Sequence, residues 1–285
     1  MTEPLIELRG VFKAFGVKPV LHEVDLAVYA GEVVGIIGRN GSGKTTLLRL
    51  LAGLMYPDQG TLRIGGATIR PGVTGRMPPD VGVLIESPTF LPQYSGRQNL
   101  RLLAGIRRVI GPQDIDEAMS TVGLQPEDRQ PVQKYSLGMR QRLGIAQAIM
   151  ERPQVLLLDE PTNSLDPEGT ALLVDHVRRL SAAGHALIIV SHRLDELAPL
   201  CHRILQLEDG RLYDHDHLEV GWKIQVKTWG DVERLSQVVP HFEIVHSLDE
   251  GPGLVCTGPW RHADDLLAVL QDHGVEALGV EQTNS

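Results

Sequence analysis

The fold of this chain is decided by the stretch Gly38-Arg39-Asn40-Gly41-Ser42-Gly43-Lys44-Thr45-Thr46. The stretch follows the apolar run Val33–Ile37, which predicts a buried strand, and precedes the leucine-rich residues 47–52, which predict a helix. Its spacing is that of a P-loop, G-x-x-x-x-G-K-[ST], in the strand–loop–helix setting that such a loop requires. The alternative is a glycine-rich turn that binds nothing, and the presence of both Lys44 and Thr45 makes it the weaker interpretation.

This loop predicts a bound nucleoside triphosphate. Its glycines let consecutive backbone N–H groups turn toward phosphate oxygens, and the first turn of the following helix adds a partial positive charge. Lys44 is placed to reach the outer phosphates, and the Thr45 hydroxyl is placed to ligate Mg²⁺. The predicted phosphate contacts lie in the loop and at the start of the helix: Asn40, Gly41, Ser42, Gly43, Lys44, Thr45 and Thr46.

The composition is that of an ordinary globular protein and argues against a nucleic-acid partner. The 285 residues have room for one large domain and one small one, and 42% of them are hydrophobic. The formal net charge is −9, whereas a protein that holds nucleic acid needs a basic face. Cys201 and Cys256 lack the spacing of a metal site or a disulfide, which predicts two reduced thiols in a cytosolic protein.

Neither a targeting signal nor a membrane-spanning segment is predicted. The first residues lack a basic stretch followed by an apolar core. No apolar run approaches the ~20 residues that are needed to cross a bilayer. If a membrane is involved, we expect another chain to supply the spanning part.

The periodicity of the chain predicts an α/β fold in which an antiparallel β layer accompanies the nucleotide-binding core. Residues 5–8 and 24–28 alternate between apolar and polar side chains, as strands of such a layer do. Phe15 lies in the same region, with Val20 close behind it, and offers an aromatic face on which an adenine ring can stack. A phenylalanine at a strand end is more often part of a core, so both interpretations of Phe15 stay open.

Residues 90–152 have a helical pattern and predict a subdomain inserted into the α/β core. The predicted helices cover residues 96–104, 114–122 and 139–151. The last of them follows a loop at 135–138, whose residues are expected to cap it.

Two carboxylates and a histidine follow the later strands. Asp159 and Glu160 come directly after the apolar run 155–158, at the strand end where a P-loop protein holds Mg²⁺. Asp159 fits the metal, usually through water, and Glu160 fits the role of polarising an attacking water. His192 follows the strand 187–190, whose end lies on the same side of a parallel sheet, so it is predicted to face the outer phosphate. The alternative, that these residues merely end strands, is weakened by the P-loop upstream.

The last quarter of the chain predicts a second, smaller domain. From residue 223 the predicted order is strand, helix, strand, strand, helix, strand, which suggests a ferredoxin-like α+β domain. The Asp-His-Asp-His run at 214–217 has no second ligand group at metal-binding spacing and is interpreted as a solvated linker. We therefore divide the chain into a nucleotide-binding domain, 1–215, and a C-terminal accessory domain, 220–285, with no catalytic constellation in the second.

Over roughly residues 3–213 the chain resembles the ATP-binding subunit of an ABC transporter. Besides the P-loop and the strand before Glu160, the resemblance rests on Ser136-Leu137-Gly138-Met139-Arg140-Gln141, which is similar to the family's signature LSGGQ. It also rests on Ser164-Leu165-Asp166, which is similar to the D-loop, and on His192, at the place of the switch histidine. The implied fold is a P-loop NTPase core of the ABC ATPase type.

The resemblance implies ATP and Mg²⁺ as cofactors and a head-to-tail homodimer that forms when ATP binds. Ser136 and Gly138 of one protomer are expected to close on the γ-phosphate held by Lys44 of the other. Asp166 is a further expected nucleotide-site residue. Phe15 stands at the place of the aromatic that stacks on adenine, and Val20 is expected to contact the nucleotide beside it.

Two departures from the family pattern are informative. The signature has Leu137 where the family has a glycine. Glu86 replaces the usual glutamine at the end of strand 81–85. The string 82–88, together with residues 136–146, is similar to the bacitracin and lantibiotic export branch of the family. A carboxylate there adds a negative charge near Mg²⁺ and is expected either to strengthen metal coordination or to act as a second proton acceptor, with Glu160 the preferred base.

The resulting hypothesis is an ATPase that powers a bacterial exporter of a drug or an antimicrobial peptide. Separate transmembrane permease subunits carry the substrate, and the chain sits peripherally on the cytoplasmic face of the cell membrane. The alternative is a soluble ABC ATPase that acts as an assembly or regulatory factor without a membrane partner. A DNA-repair or translation ATPase is disfavoured, because such proteins need a long coiled coil or two tandem ATPase halves.

Overall fold

The structure is a computed structural model in which the chain forms two compact units, Met1–Asp214 and His215–Ser285. The residues that it describes are 3–69, 80–86, 88–214, 220–226, 228–236, 241–247, 251–258, 263–275 and 277–283. The division of the chain into a nucleotide-binding domain, 1–215, and an accessory domain, 220–285, assigns a separate role to each part and stays a prediction.

The first unit alternates strands and helices after an opening pair of strands. Its strands are β1 (Ile6–Phe15), β2 (Lys18–Val28), β3 (Val33–Ile37), β4 (Gln59–Ile64), β5 (Ala67–Ile69), β6 (Val81–Leu84), β7 (Val155–Asp159), β8 (Ala186–Ser191), β9 (Arg203–Glu208) and β10 (Arg211–Asp214). Its helices are α1 (Lys44–Leu51), α2 (Gly96–Arg107), α3 (Pro112–Thr121), α4 (Leu137–Ile149), α5 (Pro167–Ala182) and α6 (Leu194–Leu197). Across the described parts of the chain, no helix has both the length and the apolar character needed to cross a bilayer.

Six strands form the central sheet, in the order β10-β9-β3-β8-β7-β6. Neighbours are parallel except for β10, which pairs antiparallel with β9. Strands β3, β7 and β8 are buried along almost their whole length, as expected for a parallel sheet covered on both faces. The carboxyl ends of β3, β6, β7 and β8 therefore meet at one edge, where the chain carries the P-loop, Glu86, Glu160 and His192.

A four-stranded antiparallel sheet, β2-β1-β4-β5, accompanies the central sheet, which confirms the predicted antiparallel layer. Helix α1 belongs to the core between them, because its buried leucines share one cluster with side chains of β1, β2 and β3. These leucines are Leu47, Leu48, Leu50 and Leu51. Burying a leucine stabilises the fold by roughly 1.5–3 kcal/mol, so this packing fixes the direction in which the P-loop enters its helix.

Helices α2, α3 and α4 form the helical block that the sequence predicts within residues 90–152. Ser95 caps α2, and its capping box is completed by the Gln98 side chain, which accepts a hydrogen bond from the Ser95 N–H. Arg97 of α2 then joins α3 by donating hydrogen bonds of 2.5 and 2.6 Å to the Asp116 carboxylate. The inserted helical subdomain is thus confirmed.

Helix α4 begins earlier than the sequence predicts. A loop is predicted at 135–138, whereas the helix begins at Leu137. The Ser136 hydroxyl accepts a hydrogen bond of 3.1 Å from the Met139 N–H, which satisfies one of the free donors of the first turn. Ser136 is therefore the cap of α4, and Gly138 lies in its first turn.

Within its described residues, the second unit contains four strands and two helices. They are β11 (Val220–Val226), α7 (Trp229–Ser236), β12 (His241–Ser247), β13 (Gly251–Gly258), α8 (Ala263–Asp272) and β14 (Ala277–Thr283). The strand order is β12-β13-β11-β14 with antiparallel neighbours throughout, which is ferredoxin-like and confirms the predicted fold. Trp222 and Leu266 are buried in its core. Residues 215–217 of the predicted linker, and Trp260, lie outside the described residues.

The two cysteines are reduced thiols that lie in different units. Cys201 is half-buried, and Cys256 is buried in the core of the second unit. Burial raises the pKa of the Cys256 thiol to about 11, which keeps it protonated and unreactive at neutral pH.

Candidate functional site

The P-loop connects the end of β3 to the start of α1. Gly43, the residue before α1, has a left-handed backbone with φ of +109°. A side chain there would place its Cβ 3.1 Å from the carbonyl oxygen of Val20, so the left-handed backbone favours glycine and the space around it is tight. The helix starts directly from the loop, and the free N–H groups of its first turn point back toward it.

Lys44 is folded into the loop. It is only 7% exposed, and its ammonium donates hydrogen bonds to the carbonyl oxygens of Gly38 at 2.6 Å and Arg39 at 3.1 Å. Burial lowers the pKa of Lys44, and the carboxylates of Glu160 and Asp159 oppose this shift. The loop is therefore wrapped around a cation that interacts with both predicted carboxylates.

The Ser42 hydroxyl is an unsatisfied hydrogen-bonding group inside the loop. Its oxygen is buried and has no hydrogen-bond partner among the described residues. Leaving a buried hydroxyl unsatisfied costs about 1–3 kcal/mol, so such a group normally has a partner. With the Lys44 ammonium and the start of α1, it makes the loop a fitting cradle for phosphate oxygens. Of the other predicted loop residues, Asn40 and Gly41 are exposed, and Thr46 is half-buried on α1.

Thr45 and Asp159 meet at the edge of the central sheet. The Thr45 hydroxyl donates a hydrogen bond of 3.2 Å to the Asp159 carboxylate. Asp159 is buried, which raises the pKa of its carboxyl, and the hydrogen bond from Thr45 opposes the rise. A hydroxyl and a carboxylate beside a P-loop are the protein oxygens that a Mg²⁺–nucleotide complex uses, so this donor set fits the predicted metal.

Glu160 follows β7 with a left-handed backbone, φ +47°. One carboxylate oxygen lies 2.9 Å from Nδ1 of His192, and the other accepts a hydrogen bond of 3.1 Å from the Ser191 hydroxyl. The parallel pairing of β7 with β8 produces this contact, because Asp159 lies opposite Val190 and the residues that follow them meet. The structure thus brings two predicted residues, Glu160 and His192, into direct contact.

A second carboxylate, Glu196 on α6, lies behind this contact and was missed by the sequence reasoning. It accepts hydrogen bonds of 2.7 Å from both the Ser191 and the Thr162 hydroxyls. Arg193 lies 3.3 Å from its other oxygen. Because Ser191 has a single hydroxyl hydrogen, it donates fully to Glu160 or to Glu196 but not to both. The available signal in the sequence was the serine directly before the predicted histidine.

Glu86, the third predicted metal residue, has a different partner. Its backbone is left-handed with φ of +60°, and it opposes the rise in the pKa of the Asp159 carboxyl. Its own carboxylate is paired with the guanidinium of Arg49 on α1. The backbone of Glu86 therefore lies near the candidate metal site, while its side chain is paired with Arg49. The sequence reasoning missed Arg49, whose signal was its place one helical turn after Thr45.

Phe15 is half-exposed at the end of β1, so a face of the ring is open to a ligand. The Lys13 ammonium lies 5.8 Å from the centroid of this ring and 5.0 Å from that of Tyr56, and it pairs with Asp58 at 2.8 Å. Phe15 is therefore part of a cation–aromatic cluster at the surface and not of the core. Val20 is half-buried, and its carbonyl borders the P-loop.

Ser136, Gly138 and Asp166 form a separate group at the starts of α4 and α5. They line a cavity of about 590 Å³ together with Leu124, Tyr135 and neighbouring residues. The described lining of this cavity includes no residue of the P-loop and no member of the Glu160 cluster. Within one chain, these three residues therefore do not share a pocket with the P-loop.

Gly138 and Asp166 of this group also have structural roles. A Cβ on Gly138 would lie 2.6 Å from the carbonyl oxygen of Ser164, so α4 packs against the loop before α5 at a distance that only glycine allows. Asp166 caps α5 by accepting a hydrogen bond of 3.0 Å from the Gly169 N–H. Its hydrogen bond from Arg142 lowers the pKa of the Asp166 carboxyl.

Helix α4 is tied to the strand end that carries the carboxylates. The Gln141 side chain donates hydrogen bonds of 3.2 Å to the carbonyl oxygens of Glu160 and Pro161. A shift of α4 therefore acts on the backbone of Glu160.

The sequence pattern of the ABC transporter family matches residues 21–163 of the chain. The chain is similar to YdbJ, an uncharacterized ABC transporter ATP-binding protein of Bacillus subtilis (strain 168). The two are 40% identical over 213 residues, which cover 74% of this chain and 69% of YdbJ. The bacitracin transport ATP-binding protein BcrA of Enterococcus faecalis is 37% identical over 213 residues, which cover 74% of this chain and 69% of BcrA.

The fold is also similar to that of a solved ATP-binding cassette, MJ0796, in a dimeric post-hydrolysis state bound to ADP and Pi. The TM-score is 0.64, and the similarity covers 73% of this chain and 96% of the other. At 23% sequence identity the similarity concerns the fold alone, and it confirms the predicted ABC ATPase type of P-loop core.

Proposed function

The chain belongs to the ABC transporter family of ATP-binding proteins, and from this premise we propose that it is the ATPase subunit of an exporter. ATP binding closes a homodimer, and hydrolysis reopens it to drive separate permease subunits. The observation that carries the proposal is the contact of Glu160 with His192, at the sheet edge that also holds the P-loop and Asp159.

Different residues of the first unit bind different parts of Mg²⁺–ATP. Lys44 and the loop N–H groups bind the phosphates, and the Ser42 hydroxyl gains a phosphate oxygen as its partner. Thr45 and Asp159 hold Mg²⁺, which when bound supplies positive charge against the outer phosphates. Phe15 stacks on the adenine ring through its open face.

Glu160 is the general base in this proposal. Its carboxylate accepts the proton of the attacking water, while His192 and Ser191 orient it. A positioned base of this kind contributes about 10²- to 10⁴-fold to a rate.

The test is steady-state phosphate release by the purified full chain and by its Glu160→Gln variant, which keeps the shape of the side chain and removes its basicity. We expect turnover to fall about 100-fold or more while ATP still binds. Equal turnover in the two proteins contradicts the assignment of the base.

A head-to-tail homodimer explains why the predicted site residues fall into two groups. The Ser136 group lines its own cavity away from the P-loop, so a second copy is the simplest way to bring it to the nucleotide. The MJ0796 cassette, which has a similar fold, was solved as a dimer. Sedimentation of the Glu160→Gln variant tests this proposal: ATP with Mg²⁺ should convert monomer to dimer, and a monomer at saturating ATP contradicts it.

A membrane permease is the proposed partner of the helical block. Leu102 and Ile106 stand four residues apart on α2, and Val109 follows the helix, and all three are more than half exposed. An apolar stripe of this kind is typical of a protein interface. Docking there would place the chain on the cytoplasmic face of the membrane. We expect Ile106→Asp to abolish co-purification with the permease and leave ATP binding unchanged; retained co-purification contradicts the docking site.

The transported compound is proposed to be a drug or an antimicrobial peptide. The support is the similarity to BcrA, whose name assigns it to bacitracin transport. No specific observation on the described residues favours the alternative of a soluble assembly or regulatory factor. Cell fractionation with the neighbouring genes co-expressed separates the two: recovery with the membrane supports the exporter, and recovery only in the soluble fraction supports the alternative.

The second unit is proposed to be an accessory domain that nucleotide binding does not need. All phosphate-site contacts described above lie within the first unit, and the second unit has its own core. A chain truncated after Glu219 should bind ATP with the affinity of the full chain. Loss of binding by a truncated chain that is still folded contradicts a separate accessory role.

A further inference from the structure

The side chains of Arg49 and Glu86 form an ion pair at the rim of the candidate metal site. Arg49 lies on α1 four residues after Thr45, and residues so spaced lie on the same face of a helix. A guanidinium nitrogen of Arg49 contacts one oxygen of the Glu86 carboxylate. The side chains are 40% and 58% exposed, so water reaches the pair and either partner can separate from the other.

The backbone of Glu86 places this ion pair beside Asp159. Strand β6 runs parallel to β7 with Leu84 opposite Leu158, and Glu86 follows two residues later. The Glu86 backbone opposes the rise in the pKa of the Asp159 carboxyl, and that carboxylate accepts the hydrogen bond from Thr45. Glu86 thus follows β6 at the same sheet edge as Asp159, one of the two residues proposed to hold Mg²⁺.

The direction of the Glu86 side chain affects the negative charge at the candidate metal site. Asp159 and Glu160 already bring two carboxylates to the same sheet edge, and a third would increase the attraction for a divalent cation. A guanidinium is always protonated and cannot accept a proton, so its pairing with Glu86 balances that charge at every physiological pH.

We propose that Arg49 is a positioning residue that holds the Glu86 carboxylate away from the metal. The affinity for the divalent cation is then set by Thr45 and Asp159, and Glu86 behaves toward the metal as an uncharged residue. This inference rests on the proposed function, because it presumes that the site binds a Mg²⁺–nucleotide complex. It replaces the sequence-based expectation that Glu86 ligates the metal directly.

The experiment measures Mn²⁺ binding by the full chain in the presence of a non-hydrolysable ATP analogue, using the electron paramagnetic resonance signal of free Mn²⁺. Arg49→Ala should release Glu86 toward the metal and tighten Mn²⁺ binding about two- to fivefold, the range that corresponds to an exposed ion pair. Glu86→Gln should bind Mn²⁺ within about twofold of the unaltered protein.

The double variant Arg49→Ala/Glu86→Gln isolates the pair. We expect it to match Glu86→Gln, because removing Arg49 matters only when a carboxylate is there to release. Arg49→Lys should restore Mn²⁺ binding to within about twofold of the unaltered protein, because an ammonium can still balance the charge. Arg97→Ala is the matched control, since it removes a helical arginine from an ion pair with Asp116 in the helical block.

Three results overturn the proposal. They are an Arg49→Ala effect of equal size with and without Glu86, no effect at all, and a several-fold loss of Mn²⁺ binding in Glu86→Gln alone. The last result makes Glu86 a metal ligand in the unaltered protein. Thermal unfolding without nucleotide checks that each variant is folded, and Arg49→Gln replaces Arg49→Ala if the latter is not.

The outcome is distinguishable from failure of the proposed function. If the unaltered chain binds neither the ATP analogue nor Mn²⁺ with it, the function fails. If the unaltered chain binds both and the Glu86-dependent shift is missing, only the role of Arg49 fails.

Discussion

Glu160 and Glu86 follow neighbouring parallel strands of one sheet and share a left-handed backbone, yet their side chains are held by different chemistry. Glu160 is held by an imidazole and a hydroxyl, His192 and Ser191. Glu86 is held by the guanidinium of Arg49. Left-handed backbone is costly for a residue with a side chain and tends to occur at functional sites, so the two positions look equivalent until their partners are compared.

The comparison indicates that the side chain paired with a carboxylate, more than its position at the end of a strand, determines its chemical role. Imidazole and hydroxyl groups donate directional hydrogen bonds and leave the negative charge of Glu160 available to a water. A guanidinium balances the charge of Glu86 and cannot exchange a proton with it. On this comparison we propose that Glu160 accepts the proton and that Glu86 does not bind the metal.

The largest expected effect tests whether both glutamates serve one nucleotide site. Lys44→Ala removes the buried cation around which the loop is wrapped. Charged contacts to phosphate are strong, so we expect affinity for Mg²⁺–ATP to fall about 100-fold, measured with a fluorescent ATP analogue. Lys18→Ala, an exposed lysine on β2, is the control and should bind normally. Unchanged binding in Lys44→Ala would show that the P-loop does not form the nucleotide site that both glutamates are taken to serve.

A smaller effect is expected when the imidazole partner of Glu160 is removed. His192→Ala should lower kcat about 10- to 100-fold and change KM for ATP less than about threefold, because positioning of the base matters mainly in the transition state. Steady-state kinetics against His273→Ala, an exposed histidine in the second unit, measures this. If Glu86 were the base, His192→Ala would change kcat little. Such a result would contradict the assignment of Glu160 as the base.

The smallest effect concerns the support behind Glu160. Glu196→Gln keeps the size of the side chain but removes its charge, which weakens its contacts with Thr162 and Arg193 and so the anchoring of the segment that carries His192. We expect kcat to fall about 3- to 10-fold, as for a group that acts through a neighbour. Asp195→Asn on the same helix is the matched control and should stay within about twofold. Equal effects of the two substitutions would mean that Glu196 contributes nothing specific to the site.

Much of the fold follows from local patterns in the sequence. Apolar runs of strand length predict β3, β7 and β8, and the spacing of the P-loop predicts the start of α1. The order of elements in the last quarter predicts a ferredoxin-like unit, and the strand order confirms it. The start of α4 was placed too late, because the Ser136 cap draws Leu137 and Gly138 into the helix, and such a contact is decided only when the turn forms.

The candidate site was predictable only in part, for a physical reason. The P-loop and the carboxylates after β7 have fixed local spacing, so Lys44, Thr45, Asp159 and Glu160 can be named from sequence. The ion pairs and hydrogen bonds around the site join distant parts of the chain: Arg49 and Glu86 are 37 residues apart, and Thr162 and Glu196 are 34 apart. Such pairing depends on sheet register and helix packing, which no local pattern encodes.

The most direct test of the account is the rate of the chemical step in single-turnover ATP hydrolysis by Glu160→Gln and Glu86→Gln, at saturating Mg²⁺. The account predicts a loss of about 100-fold or more for Glu160→Gln and of less than about fivefold for Glu86→Gln. Saturating Mg²⁺ removes any difference in metal affinity from the comparison. Losses of equal size, or a larger loss for Glu86→Gln, would contradict the claim that Glu160 alone accepts the proton.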